Sequence, residues 1–221
     1  MLNQQEILMI IEGLRDTMII VGLSTIFGYL IGLPLGVILA VTDKDGIHPN
    51  PLIYKVLDVI TNVLRSFPFI ILLVVLIPVT RAIVGKSYGT GATIVPLVVA
   101  AAPFIGRMVE SSLKEVDKGV IEAAQSMGAN DMTIIFKVLI AEARTSLLVG
   151  ATIAFGTILG YSAMAGAVGG GGLGSIAIRY GYNRFQPQIL WPSVILLILL
   201  VQFFQILGMR ISVKFDRRKR N

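Results

Sequence analysis

Five long apolar runs dominate the chain and leave it few ways to fold. They fall at roughly Met18–Val41, Val56–Val79, Thr93–Val109, Ser146–Val168 and Ile189–Met209. A helix crossing a bilayer needs about 20 apolar residues, whereas a barrel strand is about 10 residues long and alternates. The runs match the helical requirement. Only 14% of the 221 residues are charged and 55% are hydrophobic, too little polar surface for a soluble domain, which averages about 25% charged. The expected fold class is an all-α polytopic membrane protein with five transmembrane helices in one domain spanning residues 1–221. The third run is short and contains Pro96 and Pro103.

Charge sets the orientation. Arg15, Arg81, Lys86, Arg179 and Arg184 fall on one side of such a five-span chain. The other side holds fourteen basic residues, from Lys44 through Arg144 to a tail beginning at Arg210. The positive-inside rule places the richer side in the cytoplasm, with the amino terminus outside and the carboxyl terminus inside. The net charge of +6 therefore reflects loops and tail, and no nucleic acid is expected as a partner. The first residues carry Glu6, Glu12 and Asp16 against Arg15. A secretory signal needs a basic start, so the first span is expected to stay in the mature protein.

Several local features carry expectations. Gln4–Asp16 places apolar residues at helical spacing and reads as an amphipathic helix in the outer interface. Gly28, Gly32 and Gly36 make a groove for close backbone approach, read as packing against another span of the same chain, with Pro34 expected to kink the helix. Asp43–Tyr54 is a turn-rich loop whose single His48 reads as an ordinary loop residue. Glu110 and Lys114 form a favourable i,i+4 pair, so the third span should run on as helix to Gly119. The fourth span carries Gly150, Gly156, Gly160, Thr157, Tyr161 and Ser162, while the fifth is almost purely aliphatic. Small and polar residues face protein or water rather than lipid. The fourth is therefore the candidate lining of a pathway, with Tyr161, Ser162, Met164 and Gly166 as candidate gate residues, and the fifth is a lipid-facing wall. The glycine-rich stretch Ala165–Gly174 reads either as a hinge or as a static turn.

Familiar chemistry is missing. Val84-Gly85-Lys86-Ser87 lacks the glycine that opens a phosphate-binding loop; Thr80 stands there. No His, Asp and Glu cluster has metal-ligand spacing, and the absence of cysteine excludes disulfides and thiolate sites. Arg179-Tyr180-Gly181-Tyr182 only echoes a potassium filter. An ion-driven carrier would bury carboxylates in its spans, and Asp58 is the one plausible case.

The most informative stretch is Glu122–Ala141, EAAQSMGANDMTIIFKVLIA. It reads as a short helix, a break at Gly128, and a second helix opened by Asn130 or Asp131. Glu122-Ala123-Ala124, then three residues and Gly128, resembles the conserved cytoplasmic loop of ABC importer permeases. Three further stretches, RSFPFIILLVVLIPV (65–79), AAPFIGRMVE (101–110) and GYSAMAGAVGGGGLG (160–174), are similar to the methionine-import permeases in particular. The resemblance implies a type I importer permease fold in a bacterial inner membrane. It implies a homodimer enclosing one pathway for methionine, in L and D forms, an extracytoplasmic substrate-binding protein, and a dimer of ATPase subunits. The ATPase would grip a coupling helix within residues 119–141, through Glu122, Ala123, Ala124, Met127, Gly128 and Ala129. ATP and magnesium would sit on that partner, leaving this chain without cofactor and without enzymatic activity. Another small amino acid or a dipeptide is the alternative substrate, and an ion-driven carrier the competing class. The leucine-proline pair that commonly ends the family loop is replaced by Ile140-Ala141, so the second helix is expected to continue into Glu142.

Overall fold

The computed structural model describes residues 2–215. Of the basic tail, Arg217, Arg218, Lys219 and Arg220 lie outside the described residues. Helix α1 runs from Gln4 to Thr42. The Asn3 amide donates to the Glu6 carboxylate at 2.6 Å at its start. Its 39 residues extend about 58 Å at 1.5 Å each, well beyond a hydrocarbon core of about 30 Å. The separate amphipathic helix expected over Gln4–Asp16 is therefore not formed; those residues are the first turns of α1. Helix propagation adds a hydrogen bond per residue once a turn exists, and no glycine or proline interrupts this region before Gly13.

The second apolar run is bent. Helix α2, Pro51–Ser66, opens with the Asn50 side chain accepting from the Ile53 amide and with Pro51 in its first turn. It stops at Phe67, whose backbone is extended, as a residue before proline favours. Helix α3, Phe69–Val75, leaves at 102° to α2. After a break at Leu76, α4 covers Ile77–Val84 and ends on Gly85 in the left-handed conformation. The second run, expected as one span over Val56–Val79, is an angled pair of limbs.

Helix α5, Thr90–Lys114, incorporates Pro96 and Pro103 and is a full-length span. It stops at Lys114 and not at Gly119. Asp117 breaks it by accepting from the Gly119 amide at 2.7 Å, which caps α6, Lys118–Ser126. Beyond Asn130 the chain is helical almost without interruption to Ala165. It comprises α7 (Asp131–Thr133), a π-helical stretch (Ile134–Leu139), α8 (Ile140–Glu142), a turn at Ala143, and α9 (Arg144–Ala165). The expected continuation through Ile140-Ala141 into Glu142 is present. A 3-10 turn at Gly166–Val168 leads to α10, Gly172–Ile176, a π-helical extension at Ala177–Tyr182, and α11, Pro187–Phe215. Among the described residues, four helical segments are long and apolar enough to cross a bilayer, five when the bent α2–α3 pair is counted.

The core is the seam between α1 and α5. Gly28, Gly32 and Gly36 are buried. A Cβ on Gly32 would lie 2.7 Å from the Ala102 carbonyl oxygen, closer than any real Cβ approaches. Ile20, Val21, Leu97, Ala101, Ile105 and Val109 fill the seam, and Ala154, Ile158 and Leu159 of α9 close it from the side. The α1 glycines thus pack within the chain, as expected. The glycine-rich stretch is a tied turn. Gly172 has φ +81, the Leu173 amide donates to Thr17 Oγ1 at 2.8 Å, and the Gly89 amide donates to the Gly169 carbonyl at 2.9 Å. The backbones of Gly166 and Gly174 pass too close for any side chain.

Candidate functional site

The α6 hairpin closes with a C-terminal signature legible atom by atom. Gly128 adopts φ +75. Its amide donates to the Gln125 carbonyl at 2.9 Å, and the Ala129 amide donates to the Ala124 carbonyl at 3.1 Å. These are the two bonds of a Schellman cap, which favours glycine at the left-handed position. Ala124 is buried beneath the cap, while Glu122, Ala123 and Gly128 are exposed and Met127 is 82% exposed. Ala129 is half-buried against the core. Nothing lies within 4 Å of the position a Gly128 Cβ would take, so the glycine is required by backbone conformation rather than by crowding inside this chain. Glu122 lies beyond the first turn of α6, and the capping role belongs to Asp117.

The hairpin is clipped to the α1–α2 loop on both arms. Lys118 Nζ donates to Asp45 at 2.9 Å on the first arm, and His48 Nε2 lies 2.7 Å from Asp131 on the second. The Lys118 hydrogen bond and charge hold the Asp45 carboxyl below the usual carboxylate range. His48, read as an ordinary loop residue, thus has a partner 83 positions away. A concave space of about 420 Å³ opens beside α6, lined among others by Asp43, Asp45, Lys118, Glu122 and Gln125 over an apolar floor of Ile47, Leu113 and Leu139.

Behind the hairpin an ion network joins α2 to α5. Arg107 pairs with Asp58 and donates to Glu110 at 2.7 Å and to Asn62 at 3.1 Å. Glu110, only 5% exposed at its side chain, also pairs with Lys114 at 2.8 Å and accepts from the Tyr54 hydroxyl at 3.1 Å. The i,i+4 pair read from sequence is one edge of this cluster. Arg107 and its link to Asp58 were not foreseen. The available signal was an arginine within the apolar run 93–109, since a charge there requires a partner.

The candidate gate residues separate. Met164 shares the outward face of α9 with Ile153, Gly156, Thr157 and Gly160, and both Met164 and Ile153 are about half exposed. Nothing lies within 4 Å of a Cβ on Gly156 or Gly160. Tyr161, at the edge of that face, stacks on Phe69 with ring centroids 4.5 Å apart. Ser162 turns inward, is 3% exposed and donates to the Leu159 carbonyl at 2.8 Å. Gly166 is buried against Ser175 and Gly174. Ser162 and Gly166 are thus buried within the chain. Helix α11 presents an apolar wall, and none of its most apolar window is buried within the chain. Among the described residues no group of His, Asp and Glu could hold a metal ion.

A bundle of apolar helices with an exposed, capped hairpin at one end is the architecture of a multi-pass membrane protein. Residues 32–221 match the family described as the binding-protein-dependent transport system inner membrane component, and the chain belongs to that family. It is 47% identical over 203 residues, covering 92% of this chain and 90% of the relative, to a Vibrio cholerae protein named "Probable D-methionine transport system permease protein MetI". It is 50% identical over 158 residues, 72% of this chain and 73% of the other, to the Escherichia coli K12 D-methionine transport system permease protein MetI. Among solved structures it superposes with TM-score 0.95 at 46% identity on a chain of an inward-facing MetNI methionine ABC transporter, covering 98% of this chain and 100% of that one. An amino acid ABC transporter solved with histidines shares the fold alone, at TM-score 0.72 and 18% identity.

Proposed function

We propose that this chain forms the translocation pathway of an ATP-driven methionine importer, as one of two copies. The exposed outer face of the α6 hairpin carries the reading. Met127, Ala123 and Glu122 stand outward while the Schellman cap at Gly128 and the clips at Asp45 and His48 fix the hairpin to the body. Such a segment is a rigid handle. In this reading the hairpin lies in the cytoplasm, the amino terminus lies outside, and an ATPase dimer holds ATP and magnesium and receives one hairpin from each copy. Ala123, Met127, Gly128 and Ala129 enter the cleft, Glu122 pairs with a basic group of the ATPase, and Ala124 anchors the helix from beneath.

Closure of the ATPase dimer draws the two handles together. The movement passes through α7 and α8 into α9, whose open face with Met164, flanked by Tyr161, borders the pathway. A substrate-binding protein delivers methionine at the opposite end. Methionine itself rests on the sequence and structural relatives. The ion-driven alternative is weakened because Asp58, its one candidate carboxylate, is paired with Arg107 and is not free to carry a cation.

Uptake of trace labelled methionine tests the reading in cells with and without the chain, with ATP depletion as a second arm. Loss of uptake in both arms is the expected result, and uptake that survives ATP depletion sinks the ABC mechanism. Substrate competition by other amino acids and by dipeptides decides the substrate. The handle is tested by Met127→Asp, which leaves the glycine backbone alone: ATP hydrolysis continues while uptake stops. Gly128→Trp should also uncouple, but it strains the backbone as well.

A further inference from the structure

We infer that α2 is an interfacial helix, lying along the membrane surface on the hairpin side and seating its apolar arc in the boundary between lipid headgroups and acyl chains. The inference goes beyond the transport reading and rests only on the chain's place in a membrane. Three arcs of α2 have three different surroundings. The first faces protein: Thr61 is 1% exposed, Asp58 and Asn62 are held by Arg107, and Tyr54 is held by Glu110. The second carries Leu52, Val56, Val59, Ile60 and Val63, all half or more exposed, Leu52 at 75%. The third carries Lys55 and Ser66, both exposed.

This order is inverted relative to a helix packed on a soluble core, where the apolar arc turns inward. Here the polar arc is used against the protein and the apolar arc is left outside. Apolar side chains so exposed require an apolar medium, and the neighbouring polar arc requires water. Both conditions are met together only at an interface.

Direction agrees. α3 carries the chain into the bilayer, and α2 meets it at 102°, so α2 runs nearly parallel to the membrane plane. Exposed apolar side chains follow one another in sequence from Val63 of α2 through Phe67 to Ile70, Ile71 and Val74 of α3. Lys55 borders the arc on one side, where its ammonium can rise to the polar boundary while its stem stays apolar.

The absence of cysteine in the chain makes the test direct. Val56→Cys, Val59→Cys and Val63→Cys carry a bimane label in the assembled transporter, reconstituted in nanodiscs of phosphatidylcholine and phosphatidylglycerol. Lys55→Cys is the water-facing control, and the chain without an introduced cysteine gives the background. The valine labels are expected to be quenched several-fold more strongly by lipid with a nitroxide near the headgroup than by lipid with a nitroxide at mid-chain. They should be nearly untouched by aqueous iodide, whereas the Lys55 label should be quenched strongly by iodide and least by the mid-chain nitroxide. Strongest quenching at mid-chain makes α2 part of a crossing helix and overturns the inference. Quenching of the valine labels by iodide places the arc in water and also overturns it, as does protection from both quenchers, which means that protein covers the arc. Valine-to-cysteine changes at these exposed positions leave the Arg107 network intact, so each variant reports on a folded chain.

Discussion

The chain carries two ladders of small residues in apolar helices, and they end in opposite environments. On α1, Gly32 and Gly36 are pressed against the backbone of α5, and Gly28 against its Ala101 and Ile105 side chains. On α9, Gly156 and Gly160 face open space within the chain. The same sequence signal therefore marks a seam closed inside one copy and a face left for something outside it. Small residues permit close approach but do not say whose backbone approaches. Only the fold separates the two.

The largest expected effect is at the closed seam. Gly32→Val drives a side chain into Ala102 and Ile105, and overpacking of this kind costs about 3 kcal/mol. Yield and thermal stability of the solubilised protein should fall steeply. Arg107→Gln comes next. It removes one partner of the nearly buried Glu110 and costs about 2 kcal/mol, since uncompensated buried charge is expensive and Lys114 remains. A double-mutant cycle with Asp58→Asn measures the coupling between α2 and α5. Gly128→Ala places Cβ in left-handed backbone and costs about 1 kcal/mol. Gly128→Asn should cost less, because asparagine tolerates that conformation, and hydrogen exchange of the Ala129 amide reads both.

Gly156→Val should leave the stability of the single chain unchanged while abolishing transport. Equal destabilisation by Gly156→Val and Gly32→Val would break the contrast between the ladders. The smallest effect belongs to Asp45. Its carboxyl is held low by Lys118, so the link is complete at neutral pH and is lost only as pH falls through that lowered value. Asp45→Asn should leave the melting temperature unchanged and should remove any acid sensitivity of the hairpin's hydrogen exchange.

The apolar helical spans and the hairpin were legible in the sequence because hydropathy and capping are local. Gly128 at a helix end, Asn130 as a cap and the run through Ile140-Ala141 depend on residues within a turn or two of each other. Three things were not legible. The bend after Ser66 was hidden because Val56–Val79 is continuous in hydropathy; the signal was Phe67-Pro68 together with the one-sided charge of 51–66, which average hydropathy suppresses. The stop of α5 at Lys114 depended on the Asp117 side chain outcompeting helix continuation. Of the candidate gate residues, Ser162 and Gly166 were chosen by type and position near the glycine run, whereas their direction is set by the turn that folds Gly174 back onto them.

That turn has a mechanical consequence. Helix α9 is pinned where Gly166 meets Gly174, and at its other end it joins the hairpin through a single turn at Ala143. A rod held at one end and pushed at the other pivots: displacement is greatest at Arg144 and dwindles towards the pin. Under the proposed handle role, a push on the hairpin would reach Met164 as a change of angle about the glycine run, along a helix about 33 Å long at 1.5 Å for each of its 22 residues. Ala154, Ile158 and Leu159 would shift against the core with it.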